Sequence, residues 1–161
     1  NPARPAVSLV GVPRPELCEP MARGLRRLGL RRAMVASGRV PTGPAGAPDF
    51  LDEFSTLGET TVVEFSPDRE LSSSAFSPDG LPLQPASLAD LRGGDRFDNA
   101  RIVRQVLAGE DRGPKRDAVL LNAGAALFVS GRCLSVAEGW AVAAELIDRG
   151  EVKRKLEQLA Q

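Results

Sequence analysis

The sequence predicts an α/β fold: a mostly parallel sheet with surrounding helices. Three observations carry that prediction. A strand, a helix and a second strand follow one another between residues 6 and 36, the β-branched segment Thr60-Thr61-Val62-Val63-Glu64-Phe65 comes next, and helical periodicity fills the chain from Asp95 onward. A strand, crossover and strand in one sheet implies parallel pairing with a right-handed connection.

The first strand is Ala6 to Val12, short, β-branched and apolar on both parities, as expected of an internal strand buried on both faces. After Pro13 and Pro15 comes an amphipathic helix, Glu16 to Leu28. It places Leu17, Met21, Leu25 and Leu28 on one face, Arg23, Arg26 and Arg27 largely on the other, and ends at Gly29. Arg32 to Ala36 reads as the second strand. Gly38 to Pro48 holds three glycines and three prolines, which predicts a surface loop. Thr60 to Phe65 and Glu70 to Phe76 can pair as a hairpin across Ser66-Pro67-Asp68-Arg69.

Pro78 to Pro85 is irregular, and Ser87 is placed to cap a short helix ending at Gly93. Phe97 to Ala108 follows as a helix with the stripe Ile102, Val103, Val106 and Leu107. Pro114 to Val129 is apolar almost all round from Ala118 onward, so burial on most sides is expected. Its one strongly polar interior residue, Asn122, needs partners for its amide, and a neighbouring loop is the expected source. Ser135, with Glu138 three residues on, opens a helix to Asp148 whose stripe includes Trp140. A charged helix, Glu151 to Leu159, can dock through Val152, Leu156 and Leu159.

With 161 residues the chain fits one domain with its own core. Its 21 basic and 21 acidic residues balance, so nothing at whole-chain level calls for a polyanionic partner. The complete absence of histidine excludes Ser-His and Cys-His nucleophile systems and histidine metal sites. Cys18 and Cys133 lack metal-ligand spacing and sit in amphipathic stretches, which predicts buried reduced thiols. No charge-free run approaches membrane-spanning length and no signal-peptide pattern opens the chain, so no membrane partner and a cytoplasmic location are expected.

The stretch most suggestive of chemistry is Phe50-Leu51-Asp52-Glu53-Phe54-Ser55, two adjacent carboxylates between apolar residues at the end of the Gly/Pro-rich loop. Neighbouring acids repel, and burial adds to the cost unless a cation or a set of donors offsets it. A hard cation such as Mg²⁺ suits them, since it takes one or two carboxylates and completes its shell with water and phosphate oxygens. The structural alternative is that Asp52 caps a helical turn with Glu53 in its first turn. Loops after strand ends are where open α/β sheets bind ligands, which adds weight to a site here.

Several stretches in order resemble the anthranilate phosphoribosyltransferase family, one of the nucleoside-phosphorylase-like phosphoribosyltransferase families. They are Asn1-Pro2-Ala3, Val10-Gly11-Val12, Pro15-Glu16-Leu17, Leu51-Asp52-Glu53, Thr60-Thr61-Val62, Leu91-Arg92-Gly93-Gly94-Asp95, Asn99-Ala100, and Gly113-Pro114-Lys115-Arg116-Asp117 through to Asn122-Ala123. The resemblance implies transfer of phosphoribosyl from 5-phosphoribosyl 1-pyrophosphate to anthranilate in tryptophan biosynthesis, with Mg²⁺ as cofactor. It places the family's acidic metal-binding pair on Asp52 and Glu53, as ligands rather than acid or base, and assigns no catalytic residue here. It also implies that residues 1–161 are the C-terminal part of the phosphoribosyltransferase α/β domain: strands and hairpin over 1–76, closing helices over 87–161. The N-terminal helical domain, through which the family forms homodimers, would be absent, and the chain alone is expected to be inactive.

Where the family shows Val-Val-His-Gly, this chain has Val35-Ala36-Ser37-Gly38 and a longer loop. The Ser37 hydroxyl can donate a hydrogen bond but carries no charge, which makes Ser37 a candidate substrate contact of reduced capability. Two other readings compete. A pyrimidine-nucleoside phosphorylase relative shares the architecture, but the segment from Gly113 to Asn122 argues against it. A diverged module binding nucleotide or nucleic acid through Arg23, Arg26, Arg27, Arg31 and Arg32 is disfavoured by the neutral charge balance.

Overall fold

A computed structural model describes residues 5–41 and 49–159. One sheet contains β1 (Val7–Gly11), β2 (Arg32–Val40), β3 (Asp49–Leu51), β4 (Thr60–Ser66) and β5 (Arg69–Phe76). Its order is β1-β2-β4-β5, with β3 paired to β2. Around it lie α1 (Cys18–Arg27), α2 (Leu88–Leu91), α3 (Arg96–Leu107), α4 (Pro114–Val129), α5 (Val136–Asp148) and α6 (Glu151–Leu159). The α/β class is as expected. Among the described residues no helix is long and apolar enough to cross a membrane.

The sheet is mixed rather than mostly parallel. Only β1 and β2 run parallel, while β2 pairs antiparallel with both β3 and β4, and β4 with β5. A parallel pair needs a long crossover, and α1 supplies the helical crossover between β1 and β2, whereas β4 returns to β5 without a helix. The hairpin of β4 and β5 forms as predicted. β1, expected to be internal, lies at the end of the strand order and is half-buried along its whole length.

The predicted loop at Gly38 to Pro48 begins later than its composition implied. Gly38, Arg39 and Val40 belong to β2 and pair with Leu51, Phe50 and Asp49 of β3. Residues 42–48 of that loop, like the opening Asn1-Pro2-Ala3, lie outside the described residues.

Two cores flank the sheet. On one face Cys18 and Ala22 of α1 pack with Ala33, Val35, Val63 and Phe65. Of the predicted stripe on α1 only Leu25 packs against this core, while Leu17 and Met21 are each 41% and Leu28 80% exposed. The small side chains at 18 and 22 let the helix approach the sheet closely, which bulkier ones would prevent. On the other face Met34, Ala36, Phe54 and Val62 meet α4 and α5, including Leu121, Ala125, Trp140 and Ile147. Cys18 and Cys133 are both free and buried, as expected.

Helices α4 and α5 are packed unusually closely. A Cβ on Gly124 would stand 2.6 Å from the Trp140 amide nitrogen, and one on Gly139 would stand 2.8 Å from the Gly124 Cα. Helix α5 is capped by Ser135, whose Oγ accepts from the Glu138 amide at 3.0 Å, but the expected capping box is not closed: Glu138 accepts from the Leu134 amide at 2.7 Å rather than from that of Ser135. The predicted stripe on α3 is only partly buried, with Val103 49% exposed.

Candidate functional site

The Asp52-Glu53 turn follows β3 and contains no helix, so the capping alternative does not hold. Gly38 pairs with Leu51 on one side of β2 and with Thr60 on the other, which puts β3 on the β1 side of β2. The chain leaving Leu51 therefore runs over the end of β1. Gly11, the last residue of that strand, has the Asp52 carbonyl oxygen where a Cβ would be. At Gly38 a Cβ would stand 2.5 Å from the Glu53 carbonyl oxygen and 2.7 Å from Ser55 Cβ. A glycine at the end of β1 and another late in the adjacent β2 thus make room for the backbone that presents the acids.

The far side of the turn is held from within the core. Phe54 is buried, and its ring meets Phe76 edge to face with centroids 5.4 Å apart. Asn122 on α4 accepts from the Phe54 amide through Oδ1 at 2.9 Å, and its Nδ2 donates to the Phe54 carbonyl at 3.1 Å and the Ala118 carbonyl at 3.0 Å. The loop partner expected for Asn122 is thus the residue directly after Glu53. Buried Thr60 Oγ1 accepts from the Ser55 amide at 3.0 Å, and Ser55 Oγ accepts from the Leu57 amide at 3.1 Å.

Asp52 and Glu53 both reach the surface. Enough protein nevertheless surrounds Glu53 that desolvation, with the Asp52 charge second, pushes its carboxyl above the ordinary range. Glu53 stands beside a groove of about 630 Å³ between α3 and α4, lined also by Lys115, Asn99, Ile102, Val106 and Val119. Among the described residues no group of three or more His, Cys, Asp and Glu side chains could enclose a metal. Two adjacent carboxylates, one desolvated by its surroundings, fit a hard cation that takes its remaining ligands from water and phosphate. Such a donor set does not suit a soft metal.

Ser37 is not brought together with the acids. It is fully buried, and its Oγ has no hydrogen-bond partner among the described residues. Alternation along β2 places it with Ala33 and Val35 on the α1 face, whereas Met34, Ala36 and the Phe54 segment share the α4 face. The arginine cluster is partly neutralised: Arg23 pairs with Glu19, Arg26 with Glu70 at 2.6 Å, and the Arg32 guanidinium lies 5.0 Å from the Phe128 ring centroid.

Sequence reasoning did not single out Gly11, Gly38, Ser55 or Thr60 as supports of the turn. Glycine late in each of two successive strands, ahead of an acid pair whose backbone must find room, is the signal that could have found the first two. Arg116 and Asp117, within the segment that carried the family resemblance, are structural. Both are buried; Arg116 donates to Asp148 at 3.0 Å, and Asp117 accepts from the Gln84 amide at 2.7 Å.

The chain is 44% identical to the anthranilate phosphoribosyltransferase of Lacticaseibacillus paracasei over 159 residues, 99% of this chain and 43% of that protein. It is 41% identical to the enzyme of the same name from Geotalea uraniireducens, again over 99% of the chain, and covers 42% of that relative. Among solved structures, anthranilate phosphoribosyltransferase from Thermus thermophilus superposes with a TM-score of 0.73 at 37% identity, covering 92% of this chain and 40% of that one. The Saccharomyces cerevisiae enzyme in complex with 5-phosphoribosyl 1-pyrophosphate (PRPP) and Mg gives 0.73 at 27% identity, with 94% and 40% covered. The chain therefore spans less than half the length of these relatives. Residues 1–153 match the a/b domain of a glycosyl transferase family, and the chain belongs to that family.

Proposed function

We propose that the chain is the part of an anthranilate phosphoribosyltransferase that supplies the Mg²⁺-binding acids, in a reaction serving tryptophan biosynthesis in the cytoplasm. The observation that carries this reading is the Asp52-Glu53 turn, seated over Gly11 of β1 and Gly38 of β2 with both acids exposed side by side. Relatives sharing 40–44% of its residues over nearly its whole length carry that enzyme name.

In the proposed reaction the amino nitrogen of anthranilate bonds to the anomeric carbon of PRPP as the bond from that carbon to pyrophosphate breaks. The electron pair of the broken bond leaves with pyrophosphate, and the nitrogen releases one proton to solvent. Mg²⁺, when bound, offsets the charge that grows on this leaving group. Asp52 and Glu53 would hold it, and their own charges keep it at this end of the sheet. Gly11, Gly38 and Asn122 keep the acid turn in place before substrate arrives, so little reorganisation is required. The substrate sites and the homodimer contacts would come from the remainder of the full-length enzyme.

The test is a chimaera in which this chain replaces the matching 159 residues of the Lacticaseibacillus paracasei enzyme. Anthranilate fluorescence should fall when PRPP and Mg²⁺ are added together, and should stay constant with the chain alone. A folded, PRPP-binding chimaera that never consumes anthranilate would contradict the reading.

A further inference from the structure

Asn122 is the one strongly polar residue in the otherwise apolar run from Ala118 to Val129, in the most buried helix of the molecule. Asparagine is a poor helix former, and Asn122 is half-buried, so its amide groups are costly to leave unbonded. Its own helix satisfies only one of its three hydrogen bonds, the one to the Ala118 carbonyl. The other two take both backbone polar groups of Phe54, 68 positions away in sequence and next to Glu53. The opposite side of the same turn rests on Gly11 and Gly38. The acid pair is thus fixed between an amide on α4 and two strand ends.

We propose that Asn122 is a positioning residue for the candidate metal centre, setting the direction in which the Asp52 and Glu53 carboxylates leave the turn. The inference rests on the metal-binding reading of those acids. Side chains that orient ligands without touching the metal typically alter affinity by about 10- to 100-fold. The lower end of that range is expected here, because the glycines still support the turn when Asn122 is replaced.

The experiment uses Mn²⁺ as a paramagnetic probe of the ¹⁵N-labelled chain, reading the broadening of backbone amide signals at residues 52–54. The parent should show broadening centred on this turn, and Asp52→Ala with Glu53→Ala should abolish it. Asn122→Ala should need about tenfold more Mn²⁺ for the same broadening. Val129→Ala, a core truncation elsewhere on α4, should leave the Mn²⁺ response unchanged despite its own loss of stability. Should Asn122→Ala fail to fold, Asn122→Leu removes the same bonds while raising helix propensity at this half-buried position, and the same weakening is expected. Unchanged broadening in a folded Asn122 variant, or equal weakening in Val129→Ala, would overturn the positioning role while leaving the metal site standing. Absence of broadening in the parent would overturn the metal reading, and the inference with it.

Discussion

Two buried polar side chains with opposite degrees of satisfaction show what single residues contribute. Ser37 buries a hydroxyl with no hydrogen-bond partner among the described residues, an arrangement that costs about 1–3 kcal/mol. Ser37→Ala should therefore raise stability by about 1 kcal/mol in urea denaturation, offset in part by the small void it leaves. If Ser37 instead contacts substrate in the full-length enzyme, the same variant would lose activity. Asp117 differs in having a partner, the Gln84 amide, but burial pushes its carboxyl above the ordinary range; that amide and Arg116 only partly offset the shift. The folded state then binds more protons than the unfolded state between the two pKa values, so stability falls as pH rises from about 4 through the raised value. Asp117→Asn should flatten this part of the urea-midpoint profile, and an unchanged slope would show that Asp117 is not its source. Residue-level reading found the acid pair and Asn122 because adjacent acids and a polar residue in an apolar helix stand out against their neighbours. It could not identify Phe54 as the partner of Asn122, since that depends on a contact between residues far apart in the chain.

At the scale of elements, the closest packing is between α4 and α5, where Gly124 faces Gly139 and the Trp140 backbone. Gly124→Ala improves helix propensity by about 1 kcal/mol, yet its methyl group would overlap backbone, and overpacking costs about 1–3 kcal/mol. A lower thermal midpoint is expected. A higher one would mean that the helices can separate at little cost. Ser135→Ala should lose about 1 kcal/mol through the α5 cap, measured in the same way. Element types were readable from periodicity and caps, and α3 to α6 fall close to their predicted bounds. The buried stripe of α1 was not, because hydrophobicity favours large side chains and the sheet selected the small ones at Cys18 and Ala22. Strand direction was over-read from a single crossover, since β3 is only three residues long and follows a Gly/Pro-rich stretch.

At the scale of the molecule, β1 ends the strand order, and on the sheet face that α1 covers a groove runs between Ser8 and Val10 of β1 and Leu25 and Leu30. A half-buried edge strand of this kind is a template for association. The isolated chain should self-associate with rising concentration in sedimentation velocity, and Val10→Lys should weaken that association. Concentration-independent sedimentation of the parent as a monomer would count against the edge being available. The overall family resemblance was legible because its motifs are spread in order along the chain, and the match to the a/b domain over residues 1–153 agrees with it. What the acids do within a complete enzyme is the central claim. The most direct test is the Mg²⁺ dependence of anthranilate consumption in the full-length chimaera, comparing the parent with Asp52→Asn and Glu53→Gln, which keep side-chain shape and remove charge. Each variant should raise the Mg²⁺ needed for half-maximal rate by at least about tenfold, or lose turnover while remaining folded. An unchanged Mg²⁺ dependence in both variants would contradict it.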